Sequence, residues 1–368
     1  LPARFEEAIT VAAGYAPSGG NAQPWTFELT ADSFVVRAVA PGVGMDIKGR
    51  GTAVACGAAA LNAAIVAADH HRHDGGTAPA DLATTTIDLD RGALAVTIPL
   101  GDRRYPELAE LAPLITKRVT NRRADRRPNP IDDAVVDCLA AVAEPWQATV
   151  HHLAGERLAA LAPAWAEADR LRFLDPRLHR EMFGELRRPG RDPLADGLDE
   201  RTMEWDRSDL AKLAILRRAD VADRLRAWDA GHQVGRQTAT HLQAAAGLMI
   251  VTVAGSGPDD YVRGGMALQR VWLEATRLRL GLQPMSPVFG YAQSRRELTE
   301  LLGDRAGAAL DEHRRQVDEL IGLGADDRFI LALRVHRAGP PSAISDRRPD
   351  RQPINLEPLP LVERQPAT

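Results

Sequence analysis

Hydrophobic and polar positions along the chain change their period several times. Apolar residues recur at helical spacing over Pro2–Gly14, a turn-rich stretch follows at Ala16–Pro24, and Trp25–Val39 alternates as a strand does. Thr52–His70 is an alanine-rich helix with no proline and no charge before Asp69, a composition that predicts burial on most sides. Two alternating strands, Thr84–Leu89 and Ala93–Pro99, flank a turn at Asp90–Gly92. The basic segment Thr116–Pro130 then breaks the pattern, and Pro128 and Pro130 mark a crossing between two halves.

Beyond that crossing the order recurs. It runs through a helix at Ile131–Val142, a strand at Ala148–Leu153, apolar helix or strand material at His241–Ala254 and a long helix at Gly264–Leu280. Thr52–His70 and Gly264–Leu280 hold equivalent places. Both begin at small residues that permit close helix approach, and each carries one amide inside, Asn62 and Gln269. An internal duplication is the expectation, with halves at 1–115 and 116–350. Asp175–Asp229 fits neither copy, being rich in Arg, Asp and Glu with breaks at Pro189-Gly190 and Asp196-Gly197, and is expected as a helical insertion able to act as a lid. Residues 351–368 are expected as a tail of little order.

The chain has 368 residues, 45% hydrophobic and 26% charged, enough to bury a sizeable core. Its formal net charge of -4 and pI near 6.2 exclude a domain-scale basic surface for nucleic acid. Lys48, Lys117 and Lys212 are the only lysines among 46 basic residues, so the arginine excess alone signals no chemistry. Cys56 and Cys138 form no C-x-x-C, are expected as buried structural thiols, and suit a reducing cytosol, hence a cytoplasmic location. No apolar run is expected to reach the ~18–20 residues that span a bilayer. No signal peptide is visible, and the start at Leu1 suits a processed or excised segment. Histidines 70, 71, 73, 151 and 152 lack fixed ligand spacing, so no metal is expected. The Gly-x-Gly strings at Gly42 and Gly255 lack a dinucleotide fingerprint, and no Gly-x-Ser-x-Gly elbow occurs.

In Ala16-Pro17-Ser18-Gly19-Gly20-Asn21-Ala22-Gln23-Pro24-Trp25 a helix ends and opens into glycines flanked by Ser and Asn, a loop able to present backbone and small polar groups to a planar ligand. Its chemistry alone also suits an ordinary helix-to-strand turn. The full string, Pro-Ser through Asn-x-Gln-Pro-Trp, closely resembles the flavin-contacting loop of the nitroreductase family. Lys117-Arg118-Val119-Thr120-Asn121-Arg122-Arg123 resembles that family's phosphate-binding start, and guanidiniums with a Thr hydroxyl are suited to a phosphate dianion. Gly281-Leu282-Gln283-Pro284 through Pro287-Val288-Phe289-Gly290 resembles the segment that passes the flavin's redox edge, and Ser345-Asp346-Arg347-Arg348 the basic pair that closes on the phosphate.

The resemblance implies an α+β fold, here a tandem pair forming a pseudo-dimer, with one FMN between the halves and NAD(P)H as a candidate reductant. The cofactor-binding residues it implies are Pro17, Ser18, Gly19, Asn21, Arg118, Thr120, Asn121, Arg122, Pro287, Val288, Phe289, Gly290, Arg347 and Arg348; no side chain is identified as catalytic. The reciprocal site lacks its parts, since the second copy offers Ala143-Glu144-Pro145-Trp146 without Ser or Asn. Ala-Cys-Gly-Ala-Ala at 55–59 and Leu-Gln-Arg-Val-Trp-Leu at 268–273 are similar to the actinobacterial Acg-type group, which implies flavin storage as an alternative to turnover. The segment His179–Glu185 resembles nitroreductase-like regions attached to a ThiF/E1-like adenylating domain. Two functions thus stay open: an oxidoreductase passing electrons through FMN to a nitro, quinone or unsaturated small molecule, and an FMN-sequestering protein. The chain is expected to be a monomer or homodimer without membrane or nucleic-acid partners.

Overall fold

The computed structural model describes residues 5–30, 32–39, 45–73, 86–90, 93–100, 106–125 and 129–348; the expected tail at 351–368 and the turn at 91–92 lie outside them. Helix α1 (Phe5–Gly14) leads through a short 3-10 turn at Gly19–Asn21 into strands β1 (Trp25–Leu29) and β2 (Ser33–Ala38). The expected single strand Trp25–Val39 is therefore a hairpin. Its turn is held at Thr30, whose backbone N–H donates to the Ser33 carbonyl at 2.8 Å and whose hydroxyl accepts from the Asp32 and Ser33 N–H groups. Helix α2 (Arg50–His73) follows, then β3 (Thr86–Asp90) and β4 (Ala93–Pro99). These four strands form an antiparallel sheet in the order β1-β2-β4-β3.

After the short helix α3 (Pro106–Ala109) come α4 (Asp133–Ala141) and β5 (Ala148–Leu153). A helical excursion then comprises α5 (Gly155–Leu174), α6 (Pro176–Glu185), the two-residue strands β6 (Leu186–Arg187) and β7 (Leu198–Asp199), α7 (Arg207–Leu216), α8 (Ala219–Ala227) and α9 (His232–Gln243). It is longer than the expected 175–229 on both sides, because α5 and α9 pair closely: a Cβ on Gly235 of α9 would stand 2.1 Å from the Ala166 carbonyl oxygen of α5. The chain returns through β8 (Gly247–Ala254), α10 (Pro258–Arg277), β9 (Gly281–Pro284), α11 (Val288–Tyr291), α12 (Arg295–Leu302), α13 (Asp304–Ile321) and β10 (Asp327–His336). The second sheet has the order β5-β8-β10-β9, again antiparallel. By rank along the chain both sheets read first-second-fourth-third, and in each a long helix joins the second strand to the third.

Strand β8 could not be told from a helix by period because both its faces are covered, which lets apolar residues run continuously. Met249, Val251 and Val253 face the core around the two long helices, while Leu248 and Ile250 face a second core with α5 and α13. Helix α10 starts at Pro258, ahead of the expected Gly264. Proline suits the first helical position, the Asp260 carboxylate accepts from the Gly257 N–H at 2.8 Å, and Asp259 and Asp260 complement the helix dipole.

The two long helices cross at two glycines in a reciprocal contact. A Cβ on Gly57 of α2 would lie 2.0 Å from the Val262 carbonyl oxygen of α10, and a Cβ on Gly265 of α10 would lie 2.0 Å from the Val54 carbonyl oxygen of α2. At the crossing the Gln269 amide donates to Asn62 Oδ1 at 2.7 Å and Asn62 donates to the Ala12 carbonyl at 2.8 Å, which leaves Gln269 Oε1 as the one buried amide oxygen of the pair without a partner. Among the described residues one helix, Ile47–His70, is long and apolar enough to cross a membrane, which the sequence was not expected to contain; 83% of its apolar window is buried inside the protein, as in a central core helix. Asn62 and Thr52 interrupt the run without lowering its apolar character enough. Cys56 is buried there, its thiol pushed up to about 12 by burial and then by Asp46, which makes it inert. Cys138 is only half-buried, against the expectation, and lies 3.5 Å from Glu274.

Candidate functional site

A cavity of about 1040 Å³ opens where the Pro17–Asn21 loop, the Thr116–Arg122 segment, the β9–α11 connection and the helical excursion meet. The loop is bent by left-handed residues, Gly20 (φ 57), Asn21 (φ 54) and Gln23 (φ 51). Ser18 Oγ accepts from the Gln23 N–H at 3.0 Å, which closes the bend. Gly20 is favoured by its φ, and the space a Cβ would take is filled by the Glu185 carboxyl, 2.7 Å away.

Arg118 is the buried cation of this wall. It is 2% exposed, one terminal nitrogen donates to the Tyr15 carbonyl at 2.9 Å, and its plane lies 4.6 Å from the Trp272 ring centroid. Its Nε and Nη1 are buried with no hydrogen-bond partner. Burial, and then the charge of Arg347, push the guanidinium down to about 9. Arg347 converges on the same place: it donates to Asn21 Oδ1 at 3.2 Å and reaches the Tyr15 carbonyl at 3.5 Å, and its Nε is also buried without a partner. Burial lowers its pKa as well. Two guanidiniums leave donors unmatched at one wall, an arrangement that an anion with several oxygen acceptors would satisfy.

Of the residues singled out in the sequence, Pro17, Ser18, Gly19, Asn21, Arg118, Thr120, Arg122, Pro287, Gly290 and Arg347 line this one cavity. The segment carrying Thr120 is fixed beside β9 by a parallel bridge from Thr120 to Leu282 and by the Asn121 N–H, which donates to the Leu282 carbonyl at 2.9 Å. The remaining four do not line the cavity. Asn121 donates to the Gly339 carbonyl at 2.9 Å, and its own carbonyl accepts from His336. Val288 and Phe289 are core residues against α5, with Phe289 edge-on to Trp165 at 5.5 Å. Arg348 pairs with Asp196 of the excursion, and its N–H donates to Gln23 Oε1 at 2.9 Å.

Arg122 lines the cavity but is already engaged, donating to the Thr202 carbonyl at 3.2 Å; burial outweighs Glu204 and pushes it down to about 10. Gln23 lay within the loop motif without being singled out, yet it ties three segments together: its amide reaches the Asn21 and Ala195 carbonyls at 3.2 and 2.8 Å and accepts from Arg348. Tyr15 and Trp272 carried no polar spacing signal; only the folded chain sets them against Arg118. Among the described residues no group of three His, Cys, Asp or Glu side chains is arranged to hold a metal.

No model of a known protein family matches the chain. It is 38% identical over 358 residues to an uncharacterized protein, MT1398, of Mycobacterium tuberculosis, the match covering 94% of this chain and 48% of that protein. The chain thus spans about half the length of this curated relative. Among solved structures it is similar to an FMN-bound nitroreductase from Desulfitobacterium hafniense, at 14% identity and a TM-score of 0.38, covering 67% of this chain and 97% of that one. It is also similar to the FMN-dependent nitroreductase NfnB from Mycobacterium smegmatis in complex with NADPH, at 15% identity and a TM-score of 0.34, covering 63% and 89%. The fold mixes helix and sheet, its structural neighbours include nitroreductase-like proteins, and at these scores the likeness is distant.

Proposed function

We propose that the chain is an FMN-binding oxidoreductase of nitroreductase type, built from two copies of one fold at 1–115 and 116–350 that pack as an internal pseudo-dimer and hold one flavin between them. The observation that carries the flavin site is Arg118, a buried guanidinium with two unmatched donors at the wall of the cavity. The matching strand orders and the reciprocal Gly57 and Gly265 contacts support the pseudo-dimer, since a two-fold interface makes each contact twice. Arg118 and Arg347 would hold the phosphate, while Pro17, Ser18 and Gly19 on one side and Pro287 and Gly290 on the other would border the ring system. Bound FMN would supply hydride or electron transfer between a donor such as NAD(P)H and a small oxidised substrate.

A second reading, flavin sequestration, draws on a specific observation. The excursion is fastened to the loop and the C-terminal segment through Gln23 to Ala195, Arg122 to Thr202 and Arg348 to Asp196, and its helices contribute Trp165, Phe173, Leu213 and Leu216 to the cavity lining, from where they would cover a bound flavin. Attachment to a ThiF/E1-like adenylating domain belongs to the same proposal, the curated relative being about twice as long. The test begins with absorbance of the purified chain and an FMN titration, expected to saturate at one equivalent. Arg118→Met is expected to weaken FMN binding by about tenfold or more at an unchanged circular dichroism spectrum, as a lost charge-assisted contact implies. Full FMN retention in that variant would refute the phosphate assignment. Anaerobic NADPH or NADH separates the two readings: bleaching within minutes supports turnover, and an unreduced flavin supports sequestration.

A further inference from the structure

The same cavity holds a further guanidinium, outside the group at the Tyr15 carbonyl. Arg172 of α5 lines it, its Nε is buried without a partner, and among the described residues the side chain makes no hydrogen bond or ion pair. Beside it stand Glu185, at the end of α6, and Tyr291, both also lining the cavity. Arg172 acts electrostatically on Glu185 and on Tyr291, whereas the charge acting on Arg118 is that of Arg347. The excursion thus adds a guanidinium to the cavity wall beyond the pair that converges on the Tyr15 carbonyl, and the Glu185 carboxyl also abuts Gly20 of the loop. Burial raises the Glu185 carboxyl, ahead of the lowering by Arg172, and no hydrogen bond to that carboxyl is made among the described residues. Trp165, Phe173 and Met182 add apolar surface to the lining.

A guanidinium with unused donors in such a wall suits an anion, and the neighbouring carboxylate sets its charge. A dianion would meet repulsion from Glu185 at close range, whereas a monoanion keeps the Arg172 contact at lower cost. Resting on the flavin reading given above, we propose that Arg172 is the specificity-determining contact for the substrate, an apolar aromatic small molecule bearing a single carboxylate, with Glu185 rejecting a second negative charge.

The experiment is ligand-observed NMR on the chain as purified, with 4-nitrobenzoate, nitrobenzene and terephthalate as probes. In the wild type, 4-nitrobenzoate is expected to bind about tenfold tighter than either of the others. Arg172→Met is expected to erase the preference over nitrobenzene, and Glu185→Gln, which leaves the guanidinium in place, to tighten 4-nitrobenzoate and admit terephthalate. Equal binding of 4-nitrobenzoate and nitrobenzene by the wild type, or a preference that survives Arg172→Met, overturns the proposal. Should Arg172→Met not fold, weaker 4-nitrobenzoate binding in Glu185→Gln overturns it instead. An Arg172-dependent preference in a chain that carries and takes up no FMN would sustain this inference while the flavin reading fails; FMN bound at one equivalent without the preference would do the reverse.

Discussion

Two loops in this chain hold equivalent places ahead of a sheet and carry different chemistry. Gly19–Asn21 and Glu144–Trp146 are both 3-10 turns that precede the first strand of a four-stranded sheet, closed by the Ala22 N–H on the Gly19 carbonyl at 3.0 Å and by the Gln147 N–H on the Glu144 carbonyl at 2.8 Å. Each also uses a left-handed residue just before its strand, Gln23 (φ 51) and Gln147 (φ 54). In the first loop Asn21 is bound to Arg347 and to the Asp346 carbonyl, and the cavity lies beside it. In the second, Glu144 and Pro145 are exposed, and only Trp146 turns inward. Position ahead of the sheet is thus common to both loops, but only the first turn runs left-handed through Gly20 and Asn21, and only it has Arg118 and Arg347 on the far side.

The likeness of the two sheets is tested most sharply at the helix crossing. Alanine in place of a mid-helix glycine ordinarily stabilises by ~1 kcal/mol. At Gly57 and Gly265 the new methyl would meet a carbonyl oxygen, so each of Gly57→Ala and Gly265→Ala is expected to destabilise by about 3 kcal/mol, read as a lower urea midpoint. Comparable losses at the two positions support a reciprocal interface; a loss at one alone breaks the comparison.

A smaller effect is expected where the sheets' surroundings differ. Glu297 of α12, which has no counterpart in the tight β3–β4 connection, accepts from Arg50 at the start of α2 at 2.8 Å and pairs with Lys48 at 2.7 Å. Burial opposes its ionisation, but the hydrogen bonds from Arg50 and Lys48 outweigh it and hold the carboxyl at about 2. A carboxyl whose pKa is lower folded than unfolded stabilises the fold above its unfolded value and loses that contribution as pH falls through the folded one. Glu297→Gln is therefore expected to cost about 2 kcal/mol at neutral pH once solvent screening is allowed for, with the gap to wild type closing between about pH 4.5 and 2. A gap that stays constant over that window would show that the ion pair contributes nothing.

The smallest effect belongs to the second loop. Glu144 is exposed, so Glu144→Gln is expected to change stability by less than about 0.5 kcal/mol and to leave the FMN stoichiometry unchanged. A second equivalent of FMN bound by that variant would mean that the carboxylate alone had closed a reciprocal site.

The long helices, most strands and the parts of the cavity that sit close together in the chain were legible in the order of residues. Period, proline and glycine are local signals, and the loop at 17–21 and the basic run at 118–122 are contiguous strings whose residue types suit their roles wherever they are placed. It did not distinguish a strand buried on both faces from a helix at Leu248–Val253, because the alternation that marks a strand vanishes when neither face meets water. It did not separate Arg118, left with unmatched donors, from Arg122, engaged by Thr202, since the two differ only in what the excursion brings against them. Nor did it single out Tyr15, Gln23, Arg172 or Glu185, whose partners lie tens to hundreds of residues away. Those assignments came from the fold, because whether a donor is satisfied or orphaned depends on packing between distant segments and not on the residue that carries it.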